Sequence, residues 1–374
     1  MSEMAEIAVL HNTLDFQGGA DALALRTCEA LLTDHEVTLF TVAETAPETL
    51  AERFDANLAG LTVRMPPFAG AISATLSRGA PWLGAQLAFR SVLLRRWAAS
   101  KLGAYDLAVS TTNELALPIP AVQYVHFPQF RHRDLDQVSA GRLNPLWTRL
   151  AAPSSASVQR DSILANSAFT ADVFEGLYGV RPTVLHPPID PIEGTKNWDQ
   201  REMGIVVAGR IAPDKRTLAA ISVVDRLRER GHPLHLHVVG SVPRSYRQYA
   251  ARVSVAAENR PYVTVERDVP RSRLAELLGA HRYGLSLKPR EPFGMTVAEY
   301  VAAGMIPFAP DSGGQREILA FREDRLFDSI DAAVALIDGA IQRDDRPSLD
   351  ADRFSREQFA SGIRRQVQER LGEG

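Results

Sequence analysis

The sequence has little that would place the protein outside the cell, in a membrane or on nucleic acid. Cys28 is its only cysteine among 374 residues, which excludes a disulfide within the chain and suits a reducing compartment. The formal net charge of −3 provides no general excess of basic residues for nucleic acid. No apolar run reaches the roughly 18 residues that a membrane-spanning helix needs, and the acidic start lacks the positive segment of a signal peptide. We therefore expect a globular cytoplasmic protein.

Several motifs of known chemistry are also absent. The sequence contains no G-x-S-x-G, no Walker loop and no histidine–cysteine cluster with zinc spacing. Gly18 and Gly19 fall short of the G-x-G-x-x-G fingerprint, so a dinucleotide oxidoreductase is poorly supported. The pattern Asp-x-Asp occurs at 134–136 and at 350–352. It holds a divalent metal when an apolar strand precedes it, and neither copy follows such a strand. We interpret both as surface loops. We expect no metal site and no cofactor.

What the sequence does contain is an alternation of short apolar runs with longer helical patterns. The runs predict strands at 6–11, 36–41, 61–65, 106–111, 122–126, 162–167, 204–210, 234–240, 262–266, 283–289 and 305–310. Helical patterns lie between them at 19–33, 168–178, 214–230, 271–280 and 296–303. Such alternation predicts an α/β protein with parallel, doubly wound sheets.

The length suggests two domains, each with its own core. The proline-rich stretch HPPIDPIEG at 186–194 interrupts the pattern, and a new strand–helix series follows it. We predict an N-terminal, acceptor-side Rossmann-like domain over 1–190 and a C-terminal, donor Rossmann-like domain over 191–345. Residues 346–374 are predicted to carry a C-terminal helix that packs back on the first domain. Because ligands bind at the carboxyl ends of such strands, we expect the site in a cleft between the halves.

One candidate for ligand binding is VVAGRIAPDKR, at 206–216. Gly209 ends a buried strand and would let a ligand approach the backbone. The guanidinium of Arg210 and the ammonium of Lys215 suit a diphosphate. Taken alone, this segment favours the simpler interpretation, a solvated basic loop.

A stronger candidate is SLKPREPFGMTVAEYVAAG, at 286–304. Glu291 is predicted in a loop and a helix should begin near Met295 or Thr296, where free N–H groups favour an anion. Glu299 falls in the first turns of that helix and can accept hydrogen bonds from sugar hydroxyls. The alternative is that Glu299 complements the helix dipole and Glu291 is solvated. This alternative is less favoured, because Pro-Phe-Gly fixes an unusual turn between the two glutamates.

Two further signals are weaker. Gly313 and Gly314 in PDSGGQREIL would expose backbone N–H groups before a helix, although glycine pairs are common in turns. His126 in QYVHFPQF follows a predicted strand of the first half. A lone histidine is more often structural than catalytic, and only its position at the expected cleft makes it a candidate.

At these residues the sequence resembles glycosyltransferase family 4, retaining enzymes of the two-domain GT-B fold. GRIAPDKR, EPFGMTVAEYVAAGMIPFAPDSGGQREIL and ANSAFTADVFEGLYGVRPTVLHPPID carry the resemblance, with QGGA and YVHFP adding a looser match in the first half. The resemblance implies donor binding through Gly19, Arg210, Lys215, Phe293, Gly294, Met295, Thr296 and Glu299. It also implies that His126 and Glu291 act at the transferred sugar.

The implied reaction moves a hexose from a nucleotide-diphosphate sugar, of the GDP-mannose or UDP-glucose type, to an acceptor hydroxyl. YVHFP together with FGMTVAEYVAAGMIPFAPDSGG is similar to mannosyltransferases that extend lipid-linked oligosaccharides. A sugar nucleotide is thus the expected partner, with a lipid-linked glycan at a membrane surface as one acceptor. No carboxylate is clearly placed as a nucleophile, which favours attack on the same face as the leaving phosphate.

The acceptor side leaves alternatives open. Residues 65–102 mix Trp82, Phe89, Leu93 and Trp97 with Arg90, Arg95 and Arg96, which fits an interfacial helix on anionic lipid or a core helix with a basic face. Further basic residues lie at 131–150, and a nucleic-acid or small-molecule acceptor is less favoured. An epimerase, a phosphorylase and a non-catalytic sugar-nucleotide binding module are the competing functions. A phosphorylase would need a much longer chain with a pyridoxal phosphate site.

Overall fold

The predicted alternation of strands and helices is present in the structure, a computed structural model that describes residues 4–83, 86–130, 146–147 and 152–372. The chain forms two units, one of Met1–Pro188 with Arg356–Gly374 and the other of Ile189–Ser355. The chain passes from the first unit to the second between Pro188 and Ile189, close to the predicted boundary at residue 190. The return to the first unit comes later than predicted, because residues 346–355 stay with the second unit.

Parallel strands of the first unit form one sheet in the order β3-β2-β1-β4-β5-β6-β7. These strands are β1 (Glu6–His11), β2 (Glu36–Thr41), β3 (Thr62–Arg64), β4 (Leu107–Ser110), β5 (Ala121–Val125), β6 (Ser162–Ala165) and β7 (Thr183–Val184). The helices are α1 (Gly19–Leu31), α2 (Pro47–Phe54), α3 (Ala69–Leu83), α4 (Leu87–Ala99), α5 (Ser155–Gln159), α6 (Ala168–Tyr178) and α13 (Arg356–Gly372).

Both faces of this sheet are covered, as the apolar strands predict. Ile7 and Val9 of β1 belong to one core cluster, and Ala8 and Leu10 to another. Alternate side chains of a strand point to opposite faces, so the two clusters lie on opposite sides of the sheet. The predicted class of α/β protein with doubly wound parallel sheets is confirmed.

The last helix, α13, completes the core of the first unit. Phe359, Ile363 and Val367 are buried in the cluster that also contains Leu25 and Leu31 of α1. Their spacing of four residues puts all three on one face of the helix. The segment before it differs, because Phe354 is buried in the second unit with its ring 5.7 Å from that of Phe293.

Parallel strands of the second unit follow the order β10-β9-β8-β11-β12-β13. These strands are β8 (Glu202–Ala208), β9 (His235–Gly240), β10 (Val263–Arg267), β11 (His281–Leu285), β12 (Ile306–Pro310) and β13 (Leu326–Phe327). The helices are α7 (Thr217–Glu229), α8 (Arg247–Glu258), α9 (Arg271–Ala280), α10 (Met295–Ala302), α11 (Gln315–Ile318) and α12 (Ile330–Gln342).

Residues 65–102 supply α3 and α4. Arg90 is only 1% exposed and donates to Ser73 Oγ at 2.6 Å, so its place on a basic face, which both interpretations of this segment assumed, is wrong. Leu94 is buried, and Trp97 packs on Phe40 with ring centroids 5.6 Å apart, which is the contact of a core helix. None of the helices in the described ranges is long and apolar enough to cross a membrane.

Candidate functional site

Each sheet has a point where the order of its strands reverses, between β1 and β4 in the first unit and between β8 and β11 in the second. Loops leaving neighbouring strands at such a point diverge and open a crevice at the carboxyl ends, where doubly wound sheets bind ligands. The predicted residues of the second unit follow β8 and β11. Those of the first unit follow β1 and β5.

The loop after β8 begins at Gly209, whose φ of +124° is strained for other residues. Its N–H donates to the Val239 carbonyl at 3.0 Å, which ties the loop to the neighbouring strand. Arg210 follows, with its side chain 41% exposed and its Nη2 3.2 Å from Asp214 Oδ2. The guanidinium is therefore held at the carboxyl end of β8 while much of its surface stays accessible.

Lys215 and Glu291 meet directly. Lys215 Nζ lies 2.9 Å from Glu291 Oε2, and Lys288 Nζ lies 3.5 Å from the other carboxylate oxygen. The Lys288 ammonium is also 3.5 Å from Asp214. Burial opposes ionisation of Glu291, but the two ammonium groups outweigh it and hold the pKa of this carboxyl below its usual value. The structure thus gathers cations and carboxylates from two neighbouring loops into one cluster.

The backbone on either side of Glu291 is fastened to the loop after β12. The N–H of Gly314 donates to the Glu291 carbonyl at 2.9 Å. Gly313 has φ +75°, and a β-carbon there would lie 2.4 Å from the Glu291 carbonyl oxygen. Gln315 is fully buried and its amide donates to the carbonyls of Lys288, Pro310 and Ser312. These contacts explain the glycine at residue 313, whereas Gly314 has φ −68° and contributes only its backbone N–H. Gln315 was missed because nothing in the sequence marks its partners.

Helix α10 begins beside this cluster. Gly294 precedes it with φ +115°, and a β-carbon there would be 3.2 Å from that of Gln315. Thr296 Oγ1 lies 3.9 Å from the position that a β-carbon of Gly209 would take, so the start of the helix adjoins the β8 loop. Met295 is the first helical residue. The Phe293 side chain is buried, which leaves only its backbone for a ligand.

Glu299 has a separate partner. Its Oε1 accepts a hydrogen bond of 2.6 Å from Arg271, the first residue of α9, and its side chain is 16% exposed. The next residue, Tyr300, is buried, and its hydroxyl oxygen accepts the N–H of Ala208 at 2.8 Å. Helix α10 is therefore tied to the end of β8 just before Gly209.

In the first unit, His126 lies directly after β5. Its Nε2 is 3.2 Å from the Thr111 carbonyl, and its backbone N–H donates to Asn113 at 2.7 Å. Burial, followed by the neighbouring His11, lowers the pKa of His126 and keeps its ring neutral near pH 7. Since a carbonyl only accepts, the ring proton is on Nε2 and the lone pair is on Nδ1.

A second histidine was missed. His11 at the end of β1 has Nδ1 3.0 Å from the Thr111 hydroxyl and Nε2 3.1 Å from Asp21 of α1. Asp21 also accepts the N–H of Gly18 at 3.4 Å, and Gly19 is the first residue of the helix. The sequence signal was available, because His11 ends the first strand and Asp21 lies two residues after Gly19. The partnership with Thr111 was not visible.

The loop that carries His126 is anchored by Glu114, another residue that was missed. This fully buried carboxylate accepts the N–H groups of Gln129 and Phe130 at 2.8 to 3.0 Å and the Tyr178 hydroxyl at 3.0 Å. Burial raises its pKa, while these hydrogen bonds oppose the rise.

The predicted basic segment 131–150, with the Asp-x-Asp of 134–136, lies outside the described residues except for 146–147. In 350–352, Asp350 accepts the Asp352 N–H at 2.9 Å.

Comparison with known proteins identifies the family. Residues 17–193 match the family described as Glycosyltransferase Family 4, and residues 189–348 match the one described as Glycosyl transferases group 1. The chain carries domains of both glycosyltransferase families, which together span residues 17–348. The resemblance found in the sequence is thereby confirmed.

Solved structures confirm the GT-B fold of this chain. Superposition on HepE of Anabaena, in complex with UDP and glucose, gives a TM-score of 0.68 at 16% identity. It covers 99% of this chain and 100% of the HepE chain. A glycosyltransferase from Rickettsia africae gives 0.63 at 12% identity, with 99% of this chain and 94% of that one covered. Likeness at these identities shows the fold and not the substrate.

A GDP-Man:Man(3)GlcNAc(2)-PP-Dol alpha-1,2-mannosyltransferase of Dictyostelium discoideum is similar to this chain in sequence. It is 24% identical over 229 residues, which are 53% of this chain and 45% of that protein. The match therefore spans less than half the length of that relative.

Proposed function

We propose that this glycosyltransferase moves a hexose from a nucleotide-diphosphate sugar to an acceptor hydroxyl, with retention of configuration and without a metal ion. The cluster of Lys215 and Lys288 around Glu291, with Arg210 linked to Lys288 through Asp214, carries the proposal. A diphosphate needs fixed cations and a sugar needs acceptors for its hydroxyl protons, and this cluster offers both. Its place at the carboxyl ends of β8 and β11 supports a ligand site.

The donor diphosphate would take Lys215 and Arg210 as its counter-ions. Lys215 is paired with Glu291, so the diphosphate competes for the ammonium and leaves the carboxylate to hydroxyls of the transferred sugar. The backbone of Phe293, Gly294, Met295 and Thr296 would offer the N–H groups of a helix start to phosphate and sugar. Glu299 would accept from the ribose hydroxyls, in exchange for its bond to Arg271.

In the proposed reaction the bond between the sugar's anomeric carbon and the phosphate oxygen breaks, and the diphosphate leaves with the electron pair. The acceptor oxygen attacks the same face, and its proton passes to the leaving phosphate. Arg210 and Lys215 stabilise the negative charge that develops on the diphosphate, which is the largest demand of the transition state. Glu291 faces the hydroxyls of a ring that becomes positively charged.

The first unit would supply the acceptor side through His126 and Gly19. A neutral imidazole can accept a hydrogen bond from a sugar or acceptor hydroxyl through its Nδ1 lone pair. Gly19 lies where the backbone of α1 begins and would leave room for the diphosphate. The acceptor that we favour is a lipid-linked glycan, supported by the mannosyltransferase of Dictyostelium discoideum that acts on a dolichol-linked oligosaccharide.

Separate measurements of donor binding and of sugar transfer test the proposal. Lys215→Ala should weaken both, whereas His126→Ala should bind the donor and fail to transfer. Arg226→Ala is the matched control, because it removes a cation of the same unit that pairs with Asp331 at 2.6 Å. Donor binding without transfer to any acceptor, in the wild type, would instead identify a non-catalytic binding module.

A further inference from the structure

Three histidines of the second unit meet at the amino ends of β9 and β11. This is the opposite end of the sheet from the donor cluster, the group of Arg210, Lys215, Lys288 and Glu291. His235 is the first residue of β9 and His281 the first of β11, and His237 follows two residues into β9. One ring nitrogen from each lies within 4.8 Å of those of the other two. The donor cluster follows the carboxyl ends of β8 and β11, so the two groups lie at opposite ends of the same strands.

Hydrogen bonds orient two of these imidazoles with one nitrogen towards the group. His281 Nδ1 is 2.7 Å from the Leu277 carbonyl, which only accepts, so its proton is on Nδ1 and its Nε2 carries a lone pair. His237 Nδ1 is 3.3 Å from Glu266, and the same carboxylate accepts from Arg273 at 2.9 and 3.0 Å. The carboxylate in this ion pair is an acceptor for Nδ1–H of His237, which leaves Nε2 as a ligand. Metal-binding histidines are commonly oriented by a carbonyl or carboxylate in this way.

The third histidine and a carboxylate complete a set of four. His235 Nε2 is 2.9 Å from His281 Nε2, and both rings approach Oε2 of Glu202, at 3.5 and 3.8 Å. A tetrahedral ion bound at about 2.0–2.1 Å would hold its ligand atoms roughly 3.3 Å apart, so His235 and His281 need only small side-chain movements. Glu202 lies outside the group formed by the three imidazoles and would have to rotate towards His237 to join it. Lys196 lies 3.6 Å from the other oxygen of Glu202 and leaves Oε2 available.

Strand β8, which lies between β9 and β11, has a glycine where His235 and His281 approach each other. Gly204 of β8 pairs with His235, and a β-carbon at Gly204 would lie 2.3 Å from His235 Nε2 and 2.7 Å from His281 Cδ2. Any other residue would push the rings apart. A cavity of about 210 Å³, lined in part by Glu202, His237 and His281, provides an approach for an ion.

We propose that His235, His237, His281 and Glu202 form a binding site for a divalent transition-metal ion, with Zn²⁺ as the best-fitting ion. Three imidazoles and a carboxylate are suitable ligands for zinc, and four-coordinate tetrahedral geometry is its usual arrangement. Glu266 and the Leu277 carbonyl are positioning groups that hold the rings. The ion would join the amino ends of β8, β9 and β11, and its role is to stabilise the second unit. This site does not depend on the proposed transfer reaction.

The test uses the full chain without a polyhistidine tag, treated with a chelator and then titrated with Zn²⁺ in a calorimeter. One equivalent should bind per chain, and Co²⁺ in its place should give the intense visible absorption of a tetrahedral complex. His237→Gln and His281→Gln should each lower the Zn²⁺ affinity by more than the about 10- to 100-fold that loss of an orienting partner costs. Glu266→Gln should fall within that range.

The matched control is His232→Gln. His232 is in the same unit and has the same 16% exposure as His237, but it pairs with Asp338. It should bind Zn²⁺ as the wild type does. Zn²⁺ should also raise the thermal midpoint of the wild type and of His232→Gln, and not that of His237→Gln. Absence of saturable binding in the wild type, or unchanged binding in His237→Gln, would overturn the proposal.

Discussion

Lys215 Nζ lies 2.9 Å from Glu291 Oε2, although the two residues are 76 positions apart in the chain. The ammonium comes from the loop after β8 and the carboxylate from the loop after β11, the neighbouring strand. The side chains are only 20% and 18% exposed. The pair therefore joins two loops at the point where ligands bind to doubly wound sheets.

Lys215→Ala removes the cation that we assign to the donor diphosphate. A hydrogen bond to a charged group is worth about 1.5–3 kcal/mol, so donor affinity should fall about 10- to 100-fold. Calorimetric titration with the donor measures the loss. Glu291 keeps Lys288 as a partner at 3.5 Å, so the fold should survive, and far-ultraviolet circular dichroism checks it. Unchanged donor affinity would remove Lys215 from the site.

Glu291→Gln separates sugar contact from diphosphate contact. The variant keeps the size of the side chain and frees Lys215 from its carboxylate partner, so the nucleoside diphosphate alone should bind at least as well as to the wild type. Sugar transfer should fall by about 10²-fold or more, because a contact that strengthens in the transition state is lost. Assays of nucleoside diphosphate release and binding decide it. Equal losses of binding and transfer would contradict the assigned role.

Gly313→Ala tests how Glu291 is positioned. A β-carbon at this residue, which has φ +75°, would lie 2.4 Å from the Glu291 carbonyl oxygen and force the two loops apart. Donor binding should weaken and the thermal midpoint should fall. Gly176→Ala is the control, since a β-carbon there meets no atom within 4 Å outside the backbone of its own helix. It should keep donor binding and should not lower the midpoint, because alanine is favoured over glycine inside a helix. Equal effects of the two changes would refute the positioning argument.

Tyr300→Phe should destabilise the second unit. The change leaves the partly buried N–H of Ala208 without its acceptor, which costs up to about 1–3 kcal/mol. The thermal midpoint should fall by about 2–4 °C for each kcal/mol in a unit of this size. Donor binding should weaken in parallel, because Ala208 precedes Gly209 and Arg210. A midpoint equal to that of the wild type would show that the hydrogen bond contributes little.

The lowered pKa of His126 predicts loss of stability in acid. Its pKa is lowered to about 4, whereas histidines of the unfolded chain titrate near about 6.5, so the unfolded state binds more protons between these values. The free energy of unfolding should fall as the pH drops from about 6.5 towards 4. In His126→Asn the free energy of unfolding should depend less on pH in this range. Above pH 7.5 the difference in the free energy of unfolding between the variant and the wild type should stay constant. Urea unfolding at several pH values measures both, and parallel curves throughout would contradict the burial of the ring.

Much of the fold could be predicted because apolar runs and helical periodicity are local. Helices 168–178 and 271–280 and strands 6–11 and 36–41 have the predicted bounds. The strand predicted at 283–289 was placed two residues late, since His281 and Arg282 look polar in the sequence although they begin β11. Edge strands β7 and β13 are two residues each, too short for a periodic signal.

The site could be predicted only in part, because a sequence shows which residues follow a strand and not which partners they meet. Lys215 and Glu291 were candidates individually, and their contact depends on β8 lying next to β11. The histidine group was missed because His235 and His281 are 46 residues apart and meet only across β8. The roles of all the predicted residues in substrate binding and catalysis, Lys215 and Glu291 included, stay predictions.

Titration of the wild-type chain with GDP-mannose and with UDP-glucose, in the presence of EDTA, tests the central claim most directly. We predict that one of the two binds without metal and that Lys215→Ala loses about 10- to 100-fold in affinity for it, whereas Arg226→Ala binds it as the wild type does. Binding that requires a metal ion, or binding that Lys215→Ala leaves unchanged, would contradict the account.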